Sequence, residues 1–221
     1  MKICGIDEAG RGPVIGPLVI AAYCIEEEKH GELQKLGLKD SKLLSPRQRD
    51  AFFKKLTKFS EDYSIKIIPA KEIDSRSDVG LNINELEALK VAELIDELAP
   101  DFVYVDSPTS PDGKVFEKMI RKNLAHQSVK IASEHKADAR YAIVSAASIL
   151  AKVTRDEEVA EIKKEVKTDF GSGYPADPIT KEFLKRNWEN PIITPYIRKS
   201  WGTIKQLEKL KGQKTLGEFE D

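Results

Sequence analysis

The 221-residue sequence has few of the residues that build disulfide scaffolds and zinc sites. Its two cysteines, Cys4 and Cys24, lie in predicted strands without a Cys-x-x-Cys spacing, which is typical of buried free thiols in a reducing compartment. The three histidines are scattered along the chain, so no zinc-binding pattern is visible. Any metal site in this protein is therefore expected to use oxygen ligands.

Long apolar runs and a strong net charge are also missing. No segment resembles a signal peptide or is apolar enough to span a bilayer, so we expect a soluble, cytoplasmic protein with no membrane partner. With 36 Lys and Arg against 37 Asp and Glu, the net charge is -1 and the chain is not a polycation. A nucleic-acid site would have to be a local basic patch, such as residues 177–214.

Strands and helices alternate along the chain, which predicts an α/β fold. We predict strands at 2–7, 18–25, 63–69, 102–106 and 128–132, and helices beginning near residues 46, 83, 114 and 142. Ser45 with Gln48, and Asn82 with Glu85, form the pattern of a capping box. The Gly- and Pro-rich break at 171–178 divides a main domain, 1–170, from a small helical C-terminal domain, 171–221.

Four carboxylates stand at predicted element ends. Asp7 and Glu8 end the first strand, Asp106 ends a later strand, and Asp138 precedes the long buried helix. Taken singly, each has an ordinary structural explanation: a solvated strand end, a turn aspartate or a helix N-cap. Together they lie where ligand crevices form in α/β sheets, and their mutual repulsion would require cations. Oxygen ligands favour hard ions, Mg²⁺ or Mn²⁺, and two such ions about 3.5–4 Å apart suit phosphoryl displacement.

The motifs that contain these residues resemble the type 2 ribonuclease H (ribonuclease HII) family in its archaeal form. The resemblance runs from residue 3 to about Trp201 and rests on these segments: Gly5–Pro13, Asp40–Lys42, Val105–Asp106, Lys136–Asp138, Ala146–Asp156 and Gly171–Pro175. It implies an RNase H-like fold with a mixed five-stranded sheet flanked by helices, plus the small helical C-terminal domain. It also implies that the four carboxylates are the catalytic, metal-binding residues.

The same resemblance implies an endoribonuclease that cleaves RNA in RNA/DNA hybrids and at single ribonucleotides embedded in duplex DNA. Residues implied to contact the substrate are Gly10, Arg11 and Gly12, whose backbone reads the ribose 2′-OH, and Tyr174, which packs on a sugar at the RNA–DNA junction. Lys42 and Lys136 are candidate phosphate contacts, and Lys152 and Arg155 are weaker ones. Tyr174 could instead simply pack on Pro175, and Trp188 and Trp201 suit the core of the small domain.

The expected mechanism is two-metal hydrolysis on the 5′ side of a ribonucleotide, leaving a 5′-phosphate and a 3′-hydroxyl. Asp7 would contact both ions, Glu8 and Asp106 would complete one site, and Asp138 would complete the other. Two alternatives remain open at this stage. One is another nuclease or recombinase on the same kind of fold, and the other is a protein that binds hybrids or a sliding clamp without catalysis.

The C-terminal segment 212–221 has too few apolar residues to fold alone, so we expect it to be flexible. Gln213, Leu216 and Phe219 follow one another at intervals of three, which resembles the peptide by which replication proteins bind the sliding clamp. The match is partial, because Glu220 stands where that motif usually has a second aromatic residue. A frayed terminus remains the alternative. We expect the protein to be a monomer.

Overall fold

A computed structural model describes residues 1–38, 44–109 and 113–217, with the side chains of 213–217 excepted. Its sheet has five strands in the order β3-β2-β1-β4-β5. β1 pairs with β2, and β2 with β3, in antiparallel fashion, whereas β1–β4 and β4–β5 are parallel pairs. The predicted mixed five-stranded sheet is therefore confirmed. The strands are β1 Lys2–Ala9, β2 Leu18–Glu26, β3 Asp62–Ile68, β4 Phe102–Asp106 and β5 Lys130–Glu134.

Helices cover both faces of the sheet. They are α1 His30–Lys35, α2 Pro46–Phe59, α3 Ala70–Ser75, α4 Ile83–Leu98, α5 Lys114–Arg121, α6 Ala142–Val166, α7 Pro178–Asn187 and α8 Gly202–Gly217. Both capping boxes are present: the Ser45 hydroxyl accepts from the Gln48 N–H, and the Asn82 side chain accepts from the Glu85 N–H. The sequence analysis did not predict the short helices α1 and α3.

β2 is buried along almost its whole length, which explains why its sequence is apolar without alternation. Leu18, Ile20, Ala22 and Cys24 belong to the core beneath α4 and α5. The intervening residues of β2 belong to the core beneath α6. The sheet is thus the central layer of a three-layer structure, and each face of every strand can be assigned to one helical layer.

α6 lies directly on β1 because β1 has a glycine at the crossing point. A Cβ placed on Gly5 would lie 2.3 Å from the backbone oxygen of Ile143, so no larger residue fits there without moving the helix. The first turns of α6 are small or apolar and fully covered, as the sequence predicted. This close packing fixes α6 against the end of β1 that contains Asp7.

A third apolar cluster joins the C-terminal region to the rest of the chain. Its buried members come from the loop after β1, from the second half of α6 and from residues 170–204: Val14, Ile15, Val159, Ile162, Phe170, Leu184, Ile193, Ile197 and Ile204. Trp188 and Trp201 pack against this cluster, in agreement with the predicted core role. The division of the chain at residue 171 stays a prediction, because this core is built from both sides of it.

The structure corrects two local predictions. β5 begins at Lys130 rather than at 128. Asp138 is not a helix N-cap: it lies in a 3-10 turn, Ala137–Ala139, and Tyr141 precedes the first residue of α6. α8 continues to Gly217 and so includes residues 212–217, while the flexibility of this segment stays a prediction.

Candidate active site

Strand alternation explains how the carboxylates reach one place. Along β1, Ile3 faces α6 while Cys4 and Ile6 face α4, so Asp7 is on the α6 side and Glu8 on the α4 side. β1 pairs with β4 only as far as Ile6, and both carboxylates lie beyond that point. β1 remains paired with β2 at this end but not with β4, so the side chains at the ends of β1 and β4 can approach the same space.

Three of the four predicted carboxylates form a compact cluster. Asp7, Glu8 and Asp106 each offer an oxygen atom, and these atoms all lie within 4.8 Å of one another. Asp138, which is only 7% exposed, lines the same cleft of about 270 Å³. The structure thus brings all four together at the carboxyl end of β4. The other residues that line this cleft are Ala9, Gly10, Arg11, Gly12, Ser148, Lys152 and Tyr174.

Backbone and hydroxyl donors orient two of these carboxylates. The Ala137 N–H donates to Oδ1 of Asp106 at 2.7 Å, which ties the 3-10 turn containing Asp138 to the end of β4. The Glu8 N–H donates to Oδ1 of Asp7 at 2.7 Å. Ser148, from the buried part of α6, hydrogen-bonds the Asp7 side chain and lowers its pKa. The sequence analysis missed Ser148 because a serine within an apolar helix carries no distinctive spacing.

The electrostatics of the cluster are unfavourable without a cation. Burial, followed by the charge of Asp106, raises the pKa of Asp7 to about 8. Burial and the neighbouring Asp7 charge raise the pKa of Glu8 well above its usual value, and Arg11 opposes that rise. The charges of Asp106 and Asp138 thus destabilise the ionised form of Asp7, and the charges of Asp7 and Asp106 destabilise that of Glu8. An all-oxygen, electron-rich cluster in a cleft fits hard divalent cations, so the residues present suit Mg²⁺ or Mn²⁺.

The loop that follows β1 is held by a buried arginine that the sequence analysis did not single out. Arg198 has no exposed surface, and its guanidinium donates to the carbonyl oxygens of Gly10 at 2.6 Å, Arg11 at 2.9 Å and Gly16 at 3.0 Å. Trp201 donates from Nε1 to the carbonyl of Gly12 at 3.2 Å. The C-terminal region therefore anchors the carbonyl side of the loop.

This anchoring also determines where the loop amides point. In a trans peptide plane the C=O and the following N–H point in opposite directions. Because the carbonyls of Gly10 and Arg11 point at Arg198, the N–H groups of Arg11 and Gly12 point away from it. Neither N–H has an acceptor in the part of the chain that the structure describes. They are available to an acceptor in the cleft that both residues line.

Gly10 is required here by space and conformation. It has a φ of 85°, and a Cβ on it would lie 2.6 Å from the Arg155 side chain. A Cβ on Gly12 would lie 3.4 Å from the Tyr174 ring, which is an ordinary contact distance. The loop therefore lies against Arg155 at Gly10 and against Tyr174 at Gly12.

The Arg11 side chain extends to α4 and pairs with a buried carboxylate. Its Nε donates to both oxygens of Glu87, at 2.9 and 3.1 Å, and its Nη2 donates to Oδ1 of Asn84. Glu87 is only 2% exposed. Burial raises the pKa of Glu87, and Arg11 opposes the rise. Sequence analysis missed Glu87 because α4 contains several acidic residues and nothing in the sequence distinguishes this one from an exposed glutamate.

Tyr174 lies across the cleft from the carboxylates, 40% exposed, with one face on Arg155. The Arg155 guanidinium carbon is 5.3 Å from the ring centroid, and the side chain also donates to the Ser172 carbonyl. Arg155 is itself only 3% exposed. Arg155 therefore supports the tyrosine and is not the exposed phosphate contact that the sequence suggested. Lys152 does line the cleft, where it pairs with Asp156 at 2.5 Å.

Other predicted contacts fall elsewhere. Lys136 is exposed, with a left-handed backbone at φ 58°, directly before the turn that holds Asp138, and it does not line the cleft. Lys42 and Phe219 lie outside the described residues. Gln213 and Leu216 belong to α8, whose side chains are not described from residue 213 onward. Among the described helices, none is long and apolar enough to cross a membrane.

The fold is similar to those of solved ribonucleases. One is the crystal structure of ribonuclease H2 from Pyrococcus horikoshii OT3, which is 44% identical, with a TM-score of 0.85 and coverage of 95% of this chain and 98% of that one. Another is ribonuclease HII from Archaeoglobus fulgidus, solved in a complex with PCNA, at 36% identity, a TM-score of 0.81 and coverage of 91% and 95%. The predicted RNase H-like fold is confirmed.

The sequence comparisons narrow this class to one family. A sequence model described as Ribonuclease HII matches residues 4–204. Ribonuclease HII of Pyrococcus abyssi is 46% identical over 99% of this chain and 97% of its own length. The chain belongs to the ribonuclease HII family and is a nuclease hydrolase.

Proposed function

We propose that this protein hydrolyses the RNA strand of RNA/DNA hybrids and cuts at single ribonucleotides embedded in duplex DNA. Cleavage would occur on the 5′ side of the ribonucleotide and leave a 5′-phosphate and a 3′-hydroxyl. Membership of the ribonuclease HII family supports RNA-strand cleavage in hybrids. The observation that supports the finer proposal best is that one cleft combines four carboxylates with a loop in which two N–H groups, of Arg11 and Gly12, have no acceptor among residues 1–38, 44–109 and 113–217.

Asp7, Glu8, Asp106 and Asp138 would hold two divalent ions, Mg²⁺ or Mn²⁺. The three carboxylates within 4.8 Å of one another suit one ion, and Asp138 at the same cleft suits a share of the second. When bound, the ions would stabilise the negative charge on the attacking and leaving oxygens. Water would attack the phosphate in line, so no serine, cysteine or histidine nucleophile is needed.

The chain's own contribution to ribose selection would come from the loop. The N–H groups of Arg11 and Gly12 can donate to the ribose 2′-oxygen, the group that distinguishes RNA from DNA. Tyr174, supported on one face by Arg155, would pack its other face on a sugar at the junction. Selection and chemistry would then occur at adjacent points of one cleft.

A duplex with a single ribonucleotide, labelled at either end, tests this proposal. With Mg²⁺ or Mn²⁺ we expect one cut 5′ to the ribonucleotide, with a 3′-hydroxyl end that a polymerase extends, and no cut in the all-DNA duplex. Binding without cleavage would favour the non-catalytic alternative. A 2′,3′-cyclic phosphate end would overturn the mechanism, because it requires attack by the ribose 2′-OH instead of water.

We also propose that the C-terminal segment binds a sliding clamp. The Archaeoglobus fulgidus relative was solved in a complex with PCNA, and this chain has Gln213, Leu216 and Phe219 in a partial clamp-binding pattern. The missing second aromatic residue predicts weaker binding than a full motif gives. Deletion of 213–221 is expected to abolish clamp binding and leave hydrolysis of a short duplex unchanged, whereas replacement of Lys214 by alanine should leave both intact. Equal clamp affinity with and without the segment would contradict this proposal.

A further inference from the structure

Glu87 is a buried carboxylate that the proposed chemistry does not use. It lies in the first half of α4, on the same side of the sheet as Glu8, and is 2% exposed. Burying a carboxylate is costly unless a partner compensates it. Its partner is Arg11, which belongs to the loop beside the carboxylate cluster. The pair therefore connects α4 to the substrate side of the cleft.

The contact has the geometry of a fixed anchor. Both Glu87 oxygens accept from Nε of Arg11, at 2.9 and 3.1 Å, and the Asn84 side chain accepts from Nη2 one helical turn earlier. Charge-assisted contacts of an arginine with several acceptors are directional as well as strong. The Arg11 side chain therefore has one preferred orientation relative to α4.

Arg11 is the only residue of the Gly10–Gly12 tripeptide that has a side chain. The two glycines have wide conformational freedom, so nothing in their own structure fixes the peptide planes. Arg198 fixes these planes through the carbonyls, from the C-terminal region. The Arg11 side chain supplies a second point of attachment, because it pairs with Glu87 of α4. Two attachments from different elements are needed to set both the position and the rotation of the loop amides.

We propose that Glu87, assisted by Asn84, is a positioning residue for ribose recognition: it holds Arg11 so that the Arg11 and Gly12 amides face the 2′-oxygen. This inference rests on the proposed function, in which the loop amides read the ribose. Glu87 contacts neither substrate nor reacting atoms and acts only through Arg11. Its contribution should be visible in selectivity for ribose and absent from general duplex binding.

The test is equilibrium binding of two duplexes that differ only in one 2′-OH. Fluorescence anisotropy in Ca²⁺ would measure the affinity for a duplex with a single ribonucleotide and for the all-DNA duplex of the same sequence. For Glu87→Gln, which keeps the size but offers only one acceptor, we expect the ratio of the two affinities to fall about 5- to 30-fold, in line with the loss of well-placed hydrogen bonds. The affinity for the all-DNA duplex should change less than about twofold, since phosphate contacts provide it.

Glu93→Gln is the matched control, because Glu93 is on the same helix and pairs with Lys90 at 2.9 Å without contacting the loop. It should leave the ratio unchanged. If Glu87→Gln does not fold, Arg11→Lys is the second variant. It removes the Nε donor that contacts both oxygens of Glu87, and the Arg11 side chain is 36% exposed. We expect the same selective loss from it.

The outcomes separate the two proposals. A wild-type protein that neither prefers nor cleaves the ribonucleotide duplex overturns the proposed function. A wild-type preference that survives in both Glu87→Gln and Arg11→Lys overturns the positioning role alone. Equal losses on both duplexes would also overturn it, because they would indicate a general structural effect.

Discussion

The carboxylate side and the loop side of the cleft differ in how their charges are compensated. On one side, Asp7, Glu8 and Asp106 share a small space with charges of one sign, and burial together with Asp106 raises the pKa of Asp7 to about 8. On the other side, the cation of Arg198 is surrounded by three carbonyl oxygens, and that of Arg11 is paired with Glu87. Under the proposed function one side would be completed by a bound cation, whereas on the other the protein itself supplies the partners of both arginines.

This difference separates function from stability in a measurable way. On the carboxylate side, like charges repel one another in a buried space, so removing a charge should relieve the metal-free fold. On the loop side, Arg198 already has its carbonyl acceptors and Arg11 has Glu87, so removing either arginine leaves buried acceptors unsatisfied. The same kind of substitution should therefore act in opposite directions on the two sides.

The largest expected effect is on catalysis. Asp7→Asn and Asp138→Asn keep the size of the side chain and remove a charged metal ligand, and we expect a loss in cleavage rate on the order of 10³-fold or more. The melting temperature of metal-free Asp7→Asn should equal or exceed that of the wild type, because repulsion with Asp106 is relieved. Single-turnover cleavage and thermal melting check this. Normal turnover in Asp138→Asn would remove Asp138 from the site.

The loop side should show the reverse behaviour. Arg198→Met leaves the carbonyls of Gly10, Arg11 and Gly16 without their donor, and we expect a stability loss of roughly 3–5 kcal/mol. At about 2–4 °C per kcal/mol for a chain of this size, melting should fall by about 6–20 °C. Arg186→Met, at a side chain that is 76% exposed, is the control and should stay close to the wild type. Similar melting of the two variants would contradict the anchoring role.

The pH dependence of the metal-free protein sharpens the comparison further. The folded pKa of Asp7 is about 8, above the usual value of 3.8, so the folded state holds a proton that the unfolded state has lost between these values. The stability contribution of protonated Asp7 is complete below about pH 4 and is lost as the pH rises through about 8. Melting of the metal-free protein should therefore decline between about pH 4 and 8 and level off above that range. Asp7→Asn or saturating Mg²⁺ should reduce this decline. An equal decline in the metal-free wild type, in Asp7→Asn and in the Mg²⁺-saturated protein would contradict this explanation.

The strands and the carboxylates were predictable because local patterns determine them. An apolar run followed by Asp7 and Glu8, and another ending in Asp106, specify strand ends, and the carboxyl ends of parallel neighbouring strands lie at the same edge of the sheet. Gly5 explains why α6, which begins with small residues, can cross β1. This fit between the glycine and the helix is visible once the contact of α6 with β1 is known. The meeting of the carboxylates at β1 and β4 therefore followed from short-range sequence and sheet rules.

The loop anchors were not predictable, because their partners are distant in sequence. Arg198 bonds Gly10 across 188 positions, and Glu87 bonds Arg11 across 76. Neither residue has a distinctive neighbour spacing, and a charged residue is by default read as exposed. Asp138 was misread as an N-cap for a related reason: the 3-10 turn that displaces it is fixed by a hydrogen bond to Asp106, in another element.

The smallest expected effect concerns Tyr174, an exposed side chain of the cleft. Tyr174 rests on Arg155 at 5.3 Å and is 40% exposed, so its ring is supported from behind and does not depend on its hydroxyl for position. Tyr174→Ala removes the ring, and we expect about a tenfold loss in cleavage at a single embedded ribonucleotide relative to a long RNA/DNA hybrid, equivalent to about 1.4 kcal/mol. Tyr174→Phe keeps the ring and should retain the wild-type ratio. The two variants are compared by kcat/KM on both substrates at fixed salt, since overall affinity depends strongly on ionic strength. A normal ratio in Tyr174→Ala would show that the aromatic ring does not contribute to recognition of the RNA–DNA junction, and that the loop amides suffice.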